Sequence, residues 1–271
     1  MVHGGTSDDD NAHTIADNAD NTYYYYPSIG DVLKTRAILH QLANCNGVGI
    51  PIELVDMIID EAEYWPSILT EMPRSISIMK DNDRQCLLTP PLCYDLVGSD
   101  SSFPSSSPKL LPHRSPHPCC KIVFTIQSHD QGWGGEPGST GSYWGSYTWF
   151  DAYILPQGYR SNGDGNASQD EAPIAPERPF IPTATRLQKN RAAVRETQRY
   201  NITWHYLDSI DQHSEEAERI DREEGRGSAM LDGSNVRSMK LGDTVSVWAR
   251  ARFPGWINHV KSISVRVFWA I

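Results

Sequence analysis

Several features that would announce a function are missing from this sequence. No apolar run among the 271 residues approaches the roughly 20 that a membrane-spanning helix needs. Basic residues are outnumbered, with 24 Lys and Arg against 34 Asp and Glu and a net charge of −10. Nucleic acid and membrane are therefore not expected as partners, since their binders carry a basic footprint. Cysteine is sparse and odd in number, at five, and Cys119 and Cys120 are adjacent, which argues against a secreted disulfide framework. The Asp- and Asn-rich start has no basic-then-apolar signal segment. These absences lead to the expectation of a cytoplasmic or nuclear protein.

What is present is clearest at the end of the chain. Val245, Val247, Ala249 and Ala251 alternate with Thr244, Ser246, Trp248, Arg250 and Arg252. After Pro254-Gly255, Ile263, Val265, Val267, Trp269 and Ile271 alternate with Ser262, Ser264 and Arg266. Period two marks half-buried antiparallel strands, here a pair with a decorated turn. Upstream, residues 121–127 read as a strand, and residues 146–155 as a central strand apolar on both faces.

Before these strands the pattern differs. Residues 1–28 are polar and acidic and read as a disordered tail. Residues 29–70 read as helical, with Asp31 a candidate cap for the first helix. In the second helix Pro51 suits the first turn, and Leu54, Val55, Ile58, Ile59 and Ala62 recur at helical spacing. Residues 71–120 are mixed, with short strand candidates at 75–79 and 85–88 and a Ser/Pro-rich linker beyond. The sandwich is expected over 121–271, with insertions at 156–183 and 208–235, the latter holding a short acidic helix at 215–223.

Chemistry is hard to find. Ser128-His129-Asp130 has the residue types of a catalytic triad, but consecutive strand residues point in alternating directions and cannot converge. His113, His117, Cys119 and Cys120 lack the paired spacing of a zinc site. Asn162 to Asn166 suggests a calcium loop, but Ala167 and Pro173 stand where such a loop needs Gly and Glu. No cofactor, no metal and no enzymatic activity are expected. A carbohydrate-active site ranks last, because only Asp130 and Asp151 offer the two facing carboxylates it requires.

Trp133, Trp144 and Trp256 lie in Gly-rich or Pro-Gly loops. Strand-end loops of sandwiches commonly bind ligands with an aromatic platform and a few polar groups. The candidate ligand-binding residues are accordingly Asp130, Gln131, Trp133, Arg250, Arg252, Trp256, Asn258 and His259. The alternative is that both tryptophans cap the sandwich and that Asn258 and His259 tie down loop backbone.

Three blocks carry a resemblance: Ser128-His-Asp-Gln-Gly-Trp133, Ser146-Tyr-Thr-Trp-Phe-Asp151, and Trp248-Ala-Arg-Ala-Arg-Phe-Pro-Gly-Trp-Ile-Asn-His259. Together they resemble a family of largely uncharacterised fungal proteins, to which no chemistry is assigned. The element order resembles a galactose-binding-like jelly roll. The Pro51-x-Glu-Leu-x-x-x-Ile-Ile run resembles the first helix of an F-box, without the rest of that module. That likeness implies docking on the adaptor of a cullin-type ubiquitin ligase through Leu54, Val55, Ile58 and Ile59. The resulting expectation is a mostly-β, antiparallel jelly-roll-like sandwich with a small helical N-terminal appendage. Its expected role is non-catalytic recognition of a protein or glycan, with a ligase substrate adaptor as the alternative.

Overall fold

The computed structural model describes residues 15–16, 23–42, 49–94, 115–158 and 185–271. The chain divides into two compact units, one ending at Ser67 and joined by the last two residues, the other spanning Ile68–Trp269. The acidic tail, the Ser/Pro-rich linker, the calcium-like run and His113 lie almost wholly or wholly outside the described residues.

In the first unit, α1 (Ile29–Leu42) and α2 (Ile52–Glu61) are the two expected helices. The cap of α1 is Ser28 rather than Asp31. Ser28 Oγ accepts from the Asp31 amide at 3.1 Å, and the Asp31 carboxylate accepts from the Ser28 amide at 2.9 Å. Asp31 is thus the reciprocating partner of a capping box. Arg36 of α1 holds Asp56 of α2 by two hydrogen bonds of 2.7 and 3.1 Å, which clamps the pair. Leu54, Val55, Ile58 and Ile59 do not share one environment. Val55 and Ile59 are buried, whereas Leu54, Met57 and Ile58 are 47%, 64% and 44% exposed.

The second unit is an antiparallel β-sandwich. Its strands are β1 (Ser67–Glu71), β2 (Ile76–Met79), β3 (Arg84–Leu88), β4 (Cys119–His129), β5 (Thr148–Leu155), β6 (Arg186–Lys189), β7 (Gln198–His205), β8 (Thr244–Ala251) and β9 (Ile257–Trp269). One sheet has the order β3-β8-β5-β6; the other runs β1-β9-β4-β7, with β2 also on β9. Residues 67–88 therefore supply strands to both layers, ahead of the boundary at 121 expected from the pattern. These strands are four or five residues long, too short for alternation to show.

Alternation sorts the core as expected. Val245, Val247, Ala249 and Ala251 of β8 are buried alongside Phe150 and Ala152 of β5. The other layer contributes Ile122, Phe124 and Ile126, Ile202 and Trp204, and Ile263, Val265 and Val267. Phe124 and Trp204 pack edge to face at 4.7 Å.

The two closing strands, however, are not hairpin partners. β8 pairs with β3 and β5, while β9 pairs with β2 and β4. The Pro254-Gly255 turn carries the chain from one layer to the other. Phe253 and Gly255, at φ 65° and 88°, make that crossing in the left-handed region.

The acidic helix α3 (Glu215–Glu224) is capped by Ser214 and ended by Gly225 in the left-handed conformation. Its Asp221 pairs with Arg186 and Lys189 of β6. After it the backbone packs tightly on β6: a Cβ on Gly227 would lie 1.9 Å from the Arg186 carbonyl oxygen. Gly227→Ala should therefore destabilise the protein by about 1–3 kcal/mol through overpacking, read as a lower midpoint in urea unfolding. An unchanged midpoint would mean that this approach is not required.

Candidate functional site

One end of the sandwich gathers the loop after β4 (130–147), the turn before β7 (190–197) and the crossing between β8 and β9 (252–256). Asp130 leaves β4 fully buried and accepts backbone amides from Gly132 at 2.8 Å, Ala193 at 2.5 Å and Val194 at 3.0 Å. Burial lifts its carboxyl above the ordinary range, against the pull of those three donors. Ala193 sits at φ 56°, a conformation that costs an alanine about 1–2 kcal/mol. The carboxylate holds it there.

Gln131 ties the next pair of loops. Its amide nitrogen donates to the Trp133 carbonyl at 2.6 Å, and its oxygen accepts from the Ile257 amide at 3.2 Å. The loops of Trp133 and Trp256 therefore meet: a Cβ on Gly255 would stand 3.2 Å from Cη2 of Trp133. Their tryptophans differ in setting. Trp133 is 59% exposed, whereas Trp256 is 9% exposed and packs edge to face on Tyr147 at 5.2 Å. Phe253 packs on the same Tyr147 ring at 4.6 Å. Trp256 thus plugs the end of the core while Trp133 lies on its rim. Trp144, also in the loop after β4, is 61% exposed.

Asn258 is buried in a polar chain. Ser128 Oγ donates to the Asn190 side-chain oxygen at 2.6 Å. The Asn190 amide donates to Thr148 Oγ1 at 3.0 Å and to the Asn258 oxygen at 2.9 Å. Asn258 in turn donates to the carbonyls of Trp149 and Arg250, at 3.1 and 3.3 Å. These contacts join β4 and β9 of one layer to β5 and β8 of the other.

Arg250 and Arg252 are also committed. Arg250 pairs with Asp151, with Asp83 at 2.6 Å and with the Tyr153 hydroxyl at 2.7 Å. Arg252 makes two bonds to Asp83, of 2.7 and 2.9 Å, and lies over the Trp149 ring. Two guanidinium groups against two carboxylates leave this cluster neutral. Burial works against ionising Asp83, but the hydrogen bonds from Arg252 and Arg250 hold its carboxyl below the ordinary range. Burial raises Asp151, opposed by Arg250.

His259 emerges on the outer face of β9, directly opposite His129 of β4. The rings stack at 4.8 Å beside a cleft of about 320 Å³. His129, Ser77, Thr197 and Lys261 line that cleft, and none of them is among the ligand-binding candidates read from the sequence, where His129 figures as a triad residue type alone. Strand register brings two of them to His259: His129 across β4–β9 and Ser77 across β2–β9.

Among the described residues no group of three or more His, Cys, Asp or Glu side chains is arranged to hold a metal ion, and no helix is long and apolar enough to cross a membrane. Cys119 and Cys120 are buried in β4, and His117 contacts the Ser238 carbonyl at 3.1 Å. Comparisons with protein-family models, curated proteins and solved structures found no match.

Asp83→Asn should cost about 3–5 kcal/mol, because it weakens a buried charge pair from one side. The sign with pH follows from the lowered carboxyl of Asp83. Its contribution is present above the ordinary aspartate value, about 4, and is lost as pH falls through the lower folded value. The melting temperatures of D83N and the parent should therefore differ at neutral pH and converge in acid. Asn258→Ala should cost about 1–3 kcal/mol for each buried partner it strands, measured by chemical denaturation.

Proposed function

We propose that this protein is a non-catalytic recognition module that binds a protein or glycan through the rim loops around Trp133. The observation that carries this reading is an exposed indole on a loop whose backbone is pinned by Asp130 and Gln131. A rigid aromatic face loses little conformational entropy on binding, and an apolar ring face suits the C–H face of a sugar or an apolar side chain. Asp130, Arg250, Arg252 and Asn258 support the rim through the bonds they already make and have no direct ligand contact in this reading. Trp256 supports it from below.

The test separates rim from plug. Trp133→Ala should abolish binding on a glycan array or to a captured protein ligand while leaving the melting temperature unchanged. Trp256→Ala should lower the melting temperature, since truncating a buried tryptophan costs about 3–5 kcal/mol. Ligand binding that survives Trp133→Ala and Trp144→Ala together would reject the rim as the site.

A second reading is favoured by the exposed apolar residues of α2, Leu54, Met57 and Ile58. Here α2 docks on the adaptor of a cullin-type ubiquitin ligase, and the sandwich selects the substrate. A purified adaptor should then bind the full chain in biolayer interferometry, and Met57→Glu with Ile58→Glu should remove that binding. No binding by the parent chain would reject this reading.

A further inference from the structure

The cleft beside His259 has a lining of one chemical character. β2 and the residue before it bring Ser75, Ile76 and Ser77; the loop before β7 brings Thr197; β4 brings His129; and β9 brings His259, Val260 and Lys261. The lining residues carry three hydroxyls, two imidazoles and one ammonium group, and none of the eight is acidic. Lys261 owes its place to a β-bulge. Val260 pairs with Ser128 and Ser262 with Gln127, so Lys261 is the extra residue of β9. A bulge re-aims a side chain that regular alternation would send elsewhere.

The two rings are set by their Nδ1 atoms. His129 Nδ1 lies 2.6 Å from the Asp130 carbonyl oxygen, which can only accept, so that nitrogen carries the proton. His259 Nδ1 lies 2.9 Å from Ser77 Oγ. In each ring Nε2 is the nitrogen left for a ligand. When protonated, both Nε2–H groups become donors, and the stacked imidazolium pair needs a negative partner. Burial and the neighbouring His129 both disfavour the charged form of His259 and hold it below the ordinary imidazole range. Lys261 adds positive charge from β9. Asp130, the carboxylate that acts on His259, is occupied by the amides of Gly132, Ala193 and Val194, and Glu196, next to Thr197 in the chain, is exposed to solvent. A metal cation would meet Lys261 and only two imidazole nitrogens. An anion would meet donors from every element around the cleft.

We propose that this cleft binds a tetrahedral oxyanion, a sulfate or phosphate group, with His129, His259 and Lys261 supplying charge and Ser75, Ser77 and Thr197 supplying hydroxyl donors. The site shares no residue with the Trp133 rim and does not rest on it. The sign with pH follows from the lowered imidazole of His259. Without a ligand, the folded protein loses stability as pH falls through the imidazole range, because the unfolded chain takes up the proton more readily. An anion that prefers the charged rings offsets this loss and binds more tightly in the same window.

The test titrates sodium sulfate into the full chain, at constant ionic strength, at about pH 5.5 and about pH 8, on either side of the ordinary imidazole value. Sulfate keeps its charge over that range, so any pH dependence comes from the protein. The histidine ring signals in NMR should move saturably, with affinity roughly tenfold higher at the lower pH. His259→Asn and Lys261→Gln should each weaken sulfate binding by about tenfold, the worth of one charge-assisted hydrogen bond. Lys261 is exposed, so its variant keeps the test valid if His259→Asn fails to fold. Trp133→Ala should leave sulfate binding unchanged, which separates this site from the rim. Glucose 6-phosphate serves as a second arm: tighter binding than sulfate supports an esterified ligand, and equal binding supports the free anion. No saturable shift at either pH, affinity unaltered in both variants, or Zn²⁺ binding without sulfate binding would overturn the proposal.

Discussion

The chain of buried amides and hydroxyls from Ser128 through Asn190 to Asn258 and Thr148 is the constraint on which the functional end of the sandwich depends. A β-sandwich is held chiefly by non-directional apolar burial, which leaves its layers free to slide by small amounts. Directional bonds remove that freedom. All four side chains are fully buried, so each hydrogen bond left unmade would strand a polar group at a cost of about 1–3 kcal/mol. Because Asn258 also reaches the carbonyls of Trp149 and Arg250, the start of β9 has one position relative to β5 and β8.

The loops inherit that position. Asp130 follows Ser128 by two residues, and its carboxylate ties the loop carrying Trp133 to the turn carrying Ala193. Gln131 then ties it to the start of β9. The stacked His129 and His259 flank the same locked pair, Ser128 and Asn258, one residue further along each strand, so their side chains emerge on the opposite face. Rim, plug and cleft are therefore held by one piece of framework. The Asp83–Arg250–Asp151–Arg252 cluster does similar work on the first sheet, where a neutral set of charges connects the β2–β3 turn to β5 and β8.

Much of the fold was legible in the residues. The two closing strands announce themselves by period two, those at 121–127 and 146–155 by apolar runs, and α1 and α2 by helical spacing. The short strands at 67–88 were harder, because four or five residues carry little periodicity. The site was legible in part. Trp133 and Trp256 occupy equally plausible loops in the sequence, and nothing local says that one is exposed and the other packed on Tyr147. Arg250 and Arg252 read as free cations because their partner Asp83 lies more than 160 residues away, at 167 and 169 positions of separation. Ser77 passes unnoticed, and His129 reads as part of a triad that cannot converge, until strand register brings both to His259.

The amino-acid pattern alone therefore settles the longer strands and helices and which face of the closing strands turns inward, because those depend on the periodicity of neighbouring side chains. It also settles that Asp130, Gln131, Trp133, Trp256, Asn258 and His259 sit at strand ends. Folding in three dimensions settles strand partnership, including the assignment of β8 and β9 to different layers across the Pro254-Gly255 crossing. It likewise decides which polar side chain is used up inside the protein and which is left facing solvent. Those outcomes rest on contacts between residues far apart in the chain, where no local pattern records which group finds which partner.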